Sequence, residues 1–318
     1  MDGYGWLILQ LLIEGLSYGM IIALIALGYT MVYGVVELIN FAHGDLFMLG
    51  CYAALTLVGG LGLATATPAT LCWALPLIAI LCAAFGALVN LGVERVIYRP
   101  LRGAPKVTVL VTAIGLSFVF INLGLFWGGV PMEVFGGGRA PSSPKDFPNL
   151  IGDTTVYDGV VRIALKDVLV AAVTVPLLIA LTWMVKGTSL GRAMRAVAQA
   201  PTAARLMGID VDRVIAITFA VGGALAGVAA VVYGLYITSV SFDMGFRMGL
   251  YAFTAAVLGG IGNLPGAVLG GLVIGVARSF SDVFLPTEWT NAIIFLVLIL
   301  LLVFRPTGLL GTSAREKV

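Results

Sequence analysis

The sequence predicts an all-α, polytopic integral membrane protein. Of its 318 residues, 60% are hydrophobic and 11% are charged, against about 25% charged in an average soluble domain. The mean hydropathy is +1.07, which leaves more apolar surface than a water-soluble fold of this size can hide. The charges are also gathered between long charge-free runs, at 15–36, 46–93, 107–132, 168–185, 214–242, 248–277 and 289–304.

A straight span needs about 20 residues, and each run is read against that length. The first run follows MDGYGW, which lacks a positive leader region, so it is expected to stay as a span. Glu14 lies about two turns into that helix if it starts near Trp6, where it faces either a cavity or partner, or the outer interface. The run 46–93 is too long for one helix and splits at Gly59, Gly60 and Pro68. The run 248–277 is broken by the sequence GGIGNLPG at 259–266 and reads as a broken or re-entrant pair. About eight transmembrane helices result, in a single transmembrane domain over 1–318.

Sidedness follows from lysine and arginine, which accumulate in cytoplasmic loops. Arg95, Arg99, Arg102 and Lys106 mark 94–106 as cytoplasmic. Lys186, Arg192, Arg195, Arg205 and Arg213 do the same for the neighbourhood of 187–213, and Arg305, Arg315 and Lys317 for the tail. The loop 128–166, rich in Pro and Gly, offsets four basic residues with Glu133, Asp146, Asp153 and Asp158 and is placed outside. The N-terminus then lies outside and the C-terminus in the cytoplasm.

The segment 187–213, GTSLGRAMRAVAQAPTAARLMGIDVDR, is the most informative. A loop that merely reverses the chain is far shorter. This one is polar, Ala-rich and basic, and long enough for one or two short helices at the membrane surface, a shape suited to docking a soluble partner.

Each half of the chain carries one interrupted apolar stretch, 39–45 and 259–266. In many transporter folds paired breaks point to the substrate path. His43 is the sole histidine, with Asn40 and Asp45 beside it. Polar residues at membrane depth often line an aqueous path. The alternative is a turn at the membrane face with Asn40 and Asp45 capping helices. No second histidine or cysteine lies nearby in sequence, so no metal site is expected. The break at 259–266 holds four glycines and one proline, which free backbone groups that lipid cannot satisfy. It reads either as a tight turn or as a pore-lining break, with Gly262, Asn263 and Pro265 at its centre.

Small residues at four-residue spacing, Gly223 and Gly227, Gly266 and Gly270, Gly271 and Gly275, permit close helix packing within this subunit or to another. Cys51, Cys72 and Cys82 give no disulfide or zinc pattern and read as small buried residues. No phosphate-binding GxxxxGK[ST] loop occurs, so the chain is not its own ATPase of that type. No nucleophile–base or carboxylate pair suggests an enzyme.

Three stretches carry a resemblance: INFAHGDLFMLG at 39–50, the segment 189–232 beginning SLGRAMRAVAQAPTAARLMGIDVDRV, and AFTAAVLGGIGNLPGAVLGGLVIG at 252–275. In order and spacing they resemble the Liv-type permeases of branched-chain amino-acid ABC importers, closest to the H-type (LivH-like) subunit. The resemblance covers nearly the whole chain and is weakest in the outer loop. It implies a permease domain that imports leucine, isoleucine and valine in the cytoplasmic (inner) membrane, amid membrane lipid. It also implies a second, LivM-like permease, two cytoplasmic LivG/LivF-like ATPases that hold ATP and magnesium, and a periplasmic amino-acid-binding protein. The chain itself then has no cofactor, no metal and no nucleic-acid partner. The resemblance makes 187–213 a coupling loop, with Gly191, Arg192, Arg195, Ala196, Ala204, Arg205, Gly208 and Ile209 as contacts for the ATPases. Asn40, His43, Asp45, Gly262, Asn263 and Pro265 are candidates for the path or its gate.

Two positions depart from the family pattern: Tyr251 stands where a lysine is expected and Arg278 where an acidic residue is expected. Both are expected near the outer part of the path or in a partner interface, and both bear on substrate identity. Rival readings are the same machine for urea, short amides or other amino acids, a stand-alone secondary transporter or channel, and a structural or assembly protein.

Overall fold

The computed structural model describes residues 3–36, 40–137, 140–152, 154–159 and 161–311. Ile39, at the start of the first break, Arg139 and Asp153 of the 128–166 loop, and Arg315 and Lys317 of the tail lie outside the described residues.

The apolar runs form helices α1 (Gly3–Val36), α2 (Ala42–Gly60), α3 (Pro68–Val93), α4 (Lys106–Gly128) and α5 (Leu165–Gly187). Two short helices follow, α6 (Ser189–Gln199) and α7 (Pro201–Leu206). Then come α8 (Val211–Ile237), α9 (Met244–Gly259), α10 (Leu264–Phe284) and α11 (Thr290–Phe304). Eight helices among the described residues are long and apolar enough to cross a membrane. The ninth apolar helix, α9, has 16 residues. It is about 24 Å long, shorter than a bilayer core of about 30 Å. The predicted split of 46–93 falls where expected, with α2 ending at Gly60 and α3 opening on Pro68. Proline at the first helical position loses no hydrogen bond, because that amide has no intrahelical partner.

The core is built by α1, α2 and α8, whose spans are mostly buried, whereas α3, α5 and α11 are mostly exposed. Their outward apolar side chains, such as Ile80, Trp183 and Phe304, form a surface suited to lipid. Glycine sets the spacing of the core helices. A methyl group placed on Gly19 would lie 2.8 Å from the Gly271 carbonyl oxygen of α10. One on Gly223 or Gly227 would be driven into the α3 backbone at Gly86 or Cys82, and one on Gly270 into Ala255 of α9. The small-residue stripes therefore pack within the subunit. Cys51 and Cys82 are buried, but Cys72 is exposed: it lies early in α3, on the helix that forms the periphery rather than the core.

Contacts along α1 divide the loops between two faces. At one end, Gln10 accepts a hydrogen bond from the Arg162 amide at 2.9 Å. Further along the same face, β1 (Lys145–Asp146) pairs antiparallel with β4 (Ser239–Val240). There too, β2 (Thr155–Asp158) pairs with β3 (Arg162–Ala164) within the 128–166 loop. At the other end of α1, Gly34 approaches Gly262, Tyr98 bonds Asn40 at 2.9 Å, and Arg99 pairs with Asp212 at 2.8 Å. The Leu309 amide bonds the Leu258 carbonyl at 2.8 Å. The basic segments 94–106 and 187–213 thus share one face with residues 305–311, opposite the loop 128–166. The start of α1 and Gly311, the last described residue, lie on opposite faces, the parity expected if α9 also crosses.

Candidate functional site

The segment between α5 and α8 folds into two helices set against the ends of the spans. In α6, Gly191, Met194 and Val197 are buried while Arg192 and Arg195 are exposed. That spacing of three places the apolar residues on one stripe facing the protein. Thr188 caps the helix, its hydroxyl accepting from the Gly191 amide at 3.1 Å. Gly191 sits so close to the Met184 and Val185 carbonyls that no side chain fits there. Arg195 donates to the same Val185 carbonyl. α6 is therefore fastened directly to the last turn of α5.

The second helix joins α8 as firmly. Ala204 is buried and Ala196 half-buried, and Ala204 accepts from the Ile209 amide at 3.0 Å through a turn in which Gly208 takes φ +81°. A left-handed residue there favours glycine. Asp210 then caps α8, accepting from the Arg213 amide at 3.0 Å. Asp212 pairs with Arg99 at 2.8 Å, with Arg102, and with Arg205 at 3.7 Å. Arg102 in turn meets Glu94, which is buried. Three guanidinium groups on one carboxylate tie the 94–106 segment to the α7–α8 junction. Neither acid was singled out from sequence, although acids inside strongly basic segments are the signal for such a knot.

The outward tip of this element is apolar. Leu206 is 85% exposed and Met207 82% exposed. Large apolar side chains this bare at a loop tip mark a contact surface. Their signal in the sequence was an apolar pair inside an otherwise polar, Ala-rich stretch.

The two breaks lie apart: Gly262 of the second packs against Gly34 near the end of α1, whereas His43 to Asp45 of the first pack against Gly28 of α1 and Gly245 and Gly249 of α9. Asn40 lies just ahead of α2, its side chain accepting from the Ala42 amide at 3.1 Å and from the Tyr98 hydroxyl. Asp45 does not cap a helix. It lies inside the first turn of α2, buried, and accepts from Ser117 of α4. His43 is buried beside it, its ring 4.7 Å from that of Tyr29 and pressed against Gly28. Neither imidazole nitrogen of His43 nor the second oxygen of Asp45 has a hydrogen-bond partner within the protein.

The second break is a turn closed by protein. Asn263 caps α10, accepting from the Gly266 amide at 3.1 Å, and donates to the Leu310 carbonyl at 2.7 Å. Gly260 and Gly262 take φ +102° and +83°, and Pro265 occupies the first turn of α10. The Leu310 amide bonds Gly259 at 3.1 Å, so the C-terminal segment takes up the backbone groups that the break frees. Pro265 also lines a cavity of about 530 Å³ with Trp183 and Lys186.

A profile described as branched-chain amino acid transport system permease component matches residues 11–302. The chain belongs to this family. Among its relatives, the permease is 41% identical to the high-affinity branched-chain amino acid transport system permease protein BraD of Pseudomonas aeruginosa, covering 98% of each chain. It is 38% identical to the LivH permease of Salmonella typhimurium and 37% to that of Escherichia coli K12, each over 98% of this chain and 97% of the relative. Among solved structures none matches significantly. The permease is a multi-pass protein of the inner membrane and a transport subunit rather than an enzyme.

Proposed function

We propose that this permease works in an ATP-driven, binding-protein-dependent importer of leucine, isoleucine and valine. It forms the translocation path with a second, similar permease. Two cytoplasmic ATPases hold ATP and magnesium, and an external binding protein delivers the amino acid. The loop 187–213 serves as the coupling loop, and the face that carries it is cytoplasmic, with the N-terminus outside and the C-terminus inside. The relatives' names support the cargo. The single observation that carries the mechanism is the α6–α7 element, basic and apolar outward, yet bound to α5 through Arg195 and to α8 through Asp212.

That fastening supplies a lever. Closure of the ATPases over ATP pushes on α6 and α7, and the push passes to the ends of two spans without a flexible joint. Gly191, Arg192, Arg195 and Arg205 face or brace that contact. ATP shifts the access equilibrium only because the closed ATPases bind one permease state more tightly than the other. Asn40, His43, Asp45, Gly262, Asn263 and Pro265 then line the path or its gate.

The test is uptake into proteoliposomes that hold this chain, its partner permease and both ATPases. Leucine is expected to accumulate only with ATP inside the ATPase compartment and binding protein on the opposite side. Uptake by the permease alone, down the leucine gradient and without ATP, would support the channel or secondary-transporter reading instead.

A further inference from the structure

The two positions that depart from the family pattern, Tyr251 and Arg278, line the same small cavity of about 60 Å³. They come from different helices, α9 and α10, and lie on the side of the molecule that carries the 128–166 loop. Arg247, 4.0 Å from Asp243, lines the cavity as well, so its wall includes two arginines and no carboxylate residue. Arg278 is held on two sides. Its guanidinium carbon lies 3.7 Å from the centre of the Tyr18 ring, and its Nε is 3.3 Å from Asp282. One terminal nitrogen, Nη1, is buried without any hydrogen-bond partner in the protein. An unpaired buried donor on a cation is costly, and an anionic acceptor relieves it. The Tyr251 hydroxyl donates to Asn291 at 2.5 Å, which fixes that ring at the wall.

Arg278 also lines a second cavity of about 480 Å³, between the first half of α1, the start of α5 and the end of α10. Here both signs of charge are present, with Glu14 and Asp167 facing the same space as Lys166. A water's share of liquid volume is about 30 Å³, so the small cavity has room for roughly two oxygen atoms.

We propose that Arg278 and Arg247 form a carboxylate-binding subsite of the outer vestibule, which takes the α-carboxylate of the transported amino acid. This rests on the reading of the chain as an amino-acid permease. The planar guanidinium fork of Arg278 suits a carboxylate, and its second role against Tyr18 pre-orients it. Recognition here reads the carboxylate and not the side chain, so the subsite separates amino acids from urea, amides and amines.

The experiment measures radiolabelled leucine binding to the purified complex of permeases and ATPases without the binding protein. Competition by 4-methylpentanoate (carboxylate only) is compared with competition by 3-methylbutylamine (ammonium only). ATP-driven leucine uptake is followed on the same preparations. The acid is expected to compete and the amine to compete far less. Arg278→Gln is expected to weaken leucine binding by roughly tenfold to a hundredfold, the range for a lost charge-assisted hydrogen bond. Arg278→Lys should restore part of it. Arg247→Gln, at a more exposed position, serves if Arg278→Gln does not assemble and should weaken binding in the same direction. Wild-type uptake with unchanged binding in the arginine variants, or no acid-sensitive binding at all, overturns the subsite and leaves the importer standing. Lost uptake with intact direct binding also overturns it, assigning the arginines to contact with the delivering protein. Absence of leucine uptake by the wild type removes the amino-acid reading itself.

Discussion

Replacing Leu206 and Met207 together by glutamate is expected to abolish ATP-driven uptake while leaving the permease folded. Both side chains stand almost fully in solvent, so the fold does not depend on them. Burying an apolar side chain of this size on a partner is worth about 1.5–3 kcal/mol. Losing two such anchors removes about 3–6 kcal/mol, or two to four powers of ten in the association constant. Two buried charges worsen the loss. The readouts are leucine uptake and retention of the ATPases after detergent extraction. Swapping the pair, Leu206→Met with Met207→Leu, keeps the apolar volume and should retain activity. Unchanged uptake in the glutamate variant would mean that the tip docks nothing, and the lever would have to start elsewhere.

The second large effect lies in the membrane core. Gly275→Leu is expected to eliminate folded protein, seen as loss of the monodisperse peak of a fluorescently tagged chain in detergent. A side chain there would be driven into the Gly15 carbonyl and the Gly19 backbone of α1, along the most extensive helix pairing in the molecule. Backbone cannot swing aside as a side chain does, so the helices must separate. Overpacking commonly costs about 1–3 kcal/mol, and a separation of α1 from α10 also forfeits the packing on both sides of the contact. Against a net stability of about 5–15 kcal/mol that is severe. Gly92→Ala is the contrast: a methyl there meets nothing within 4 Å, and the protein should survive intact with a slightly better helix. Equal tolerance at both positions would contradict the account of glycine-spaced packing.

The spans were legible because the membrane imposes a length and a polarity on every crossing. Glycine pairs and prolines mark their ends, as at Gly60 and Pro68. The sharing of one face by the basic segments was legible for the same reason, since arginine placement records sidedness. α9 was harder to count, because 16 residues are too few for a straight crossing and its charge-free run continues into α10. The acids of the polar knot around Asp212 were marked by their basic surroundings, but their pairing was not legible. Its members Glu94, Arg99 and Arg102 lie more than a hundred residues away in sequence, and nothing local announces the pairing. Asp45 looked like a helix cap by residue type, but its first-turn position directs it to Ser117 on α4. The closing of the second break by Leu309 and Leu310 was hidden too, because backbone-to-backbone bonds leave no mark on side-chain identity. Tyr251 and Arg278 stood out one at a time, and only the fold places them at one cavity wall.

The most direct test of the central claim, that this chain is one permease of an ATP-driven complex, is affinity purification of the tagged chain from its native membrane in mild detergent. The expected result is co-purification of a second permease and two ATPases, with ATP hydrolysis by the purified material. A chain that emerges alone and still moves leucine across a membrane without ATP would contradict the account.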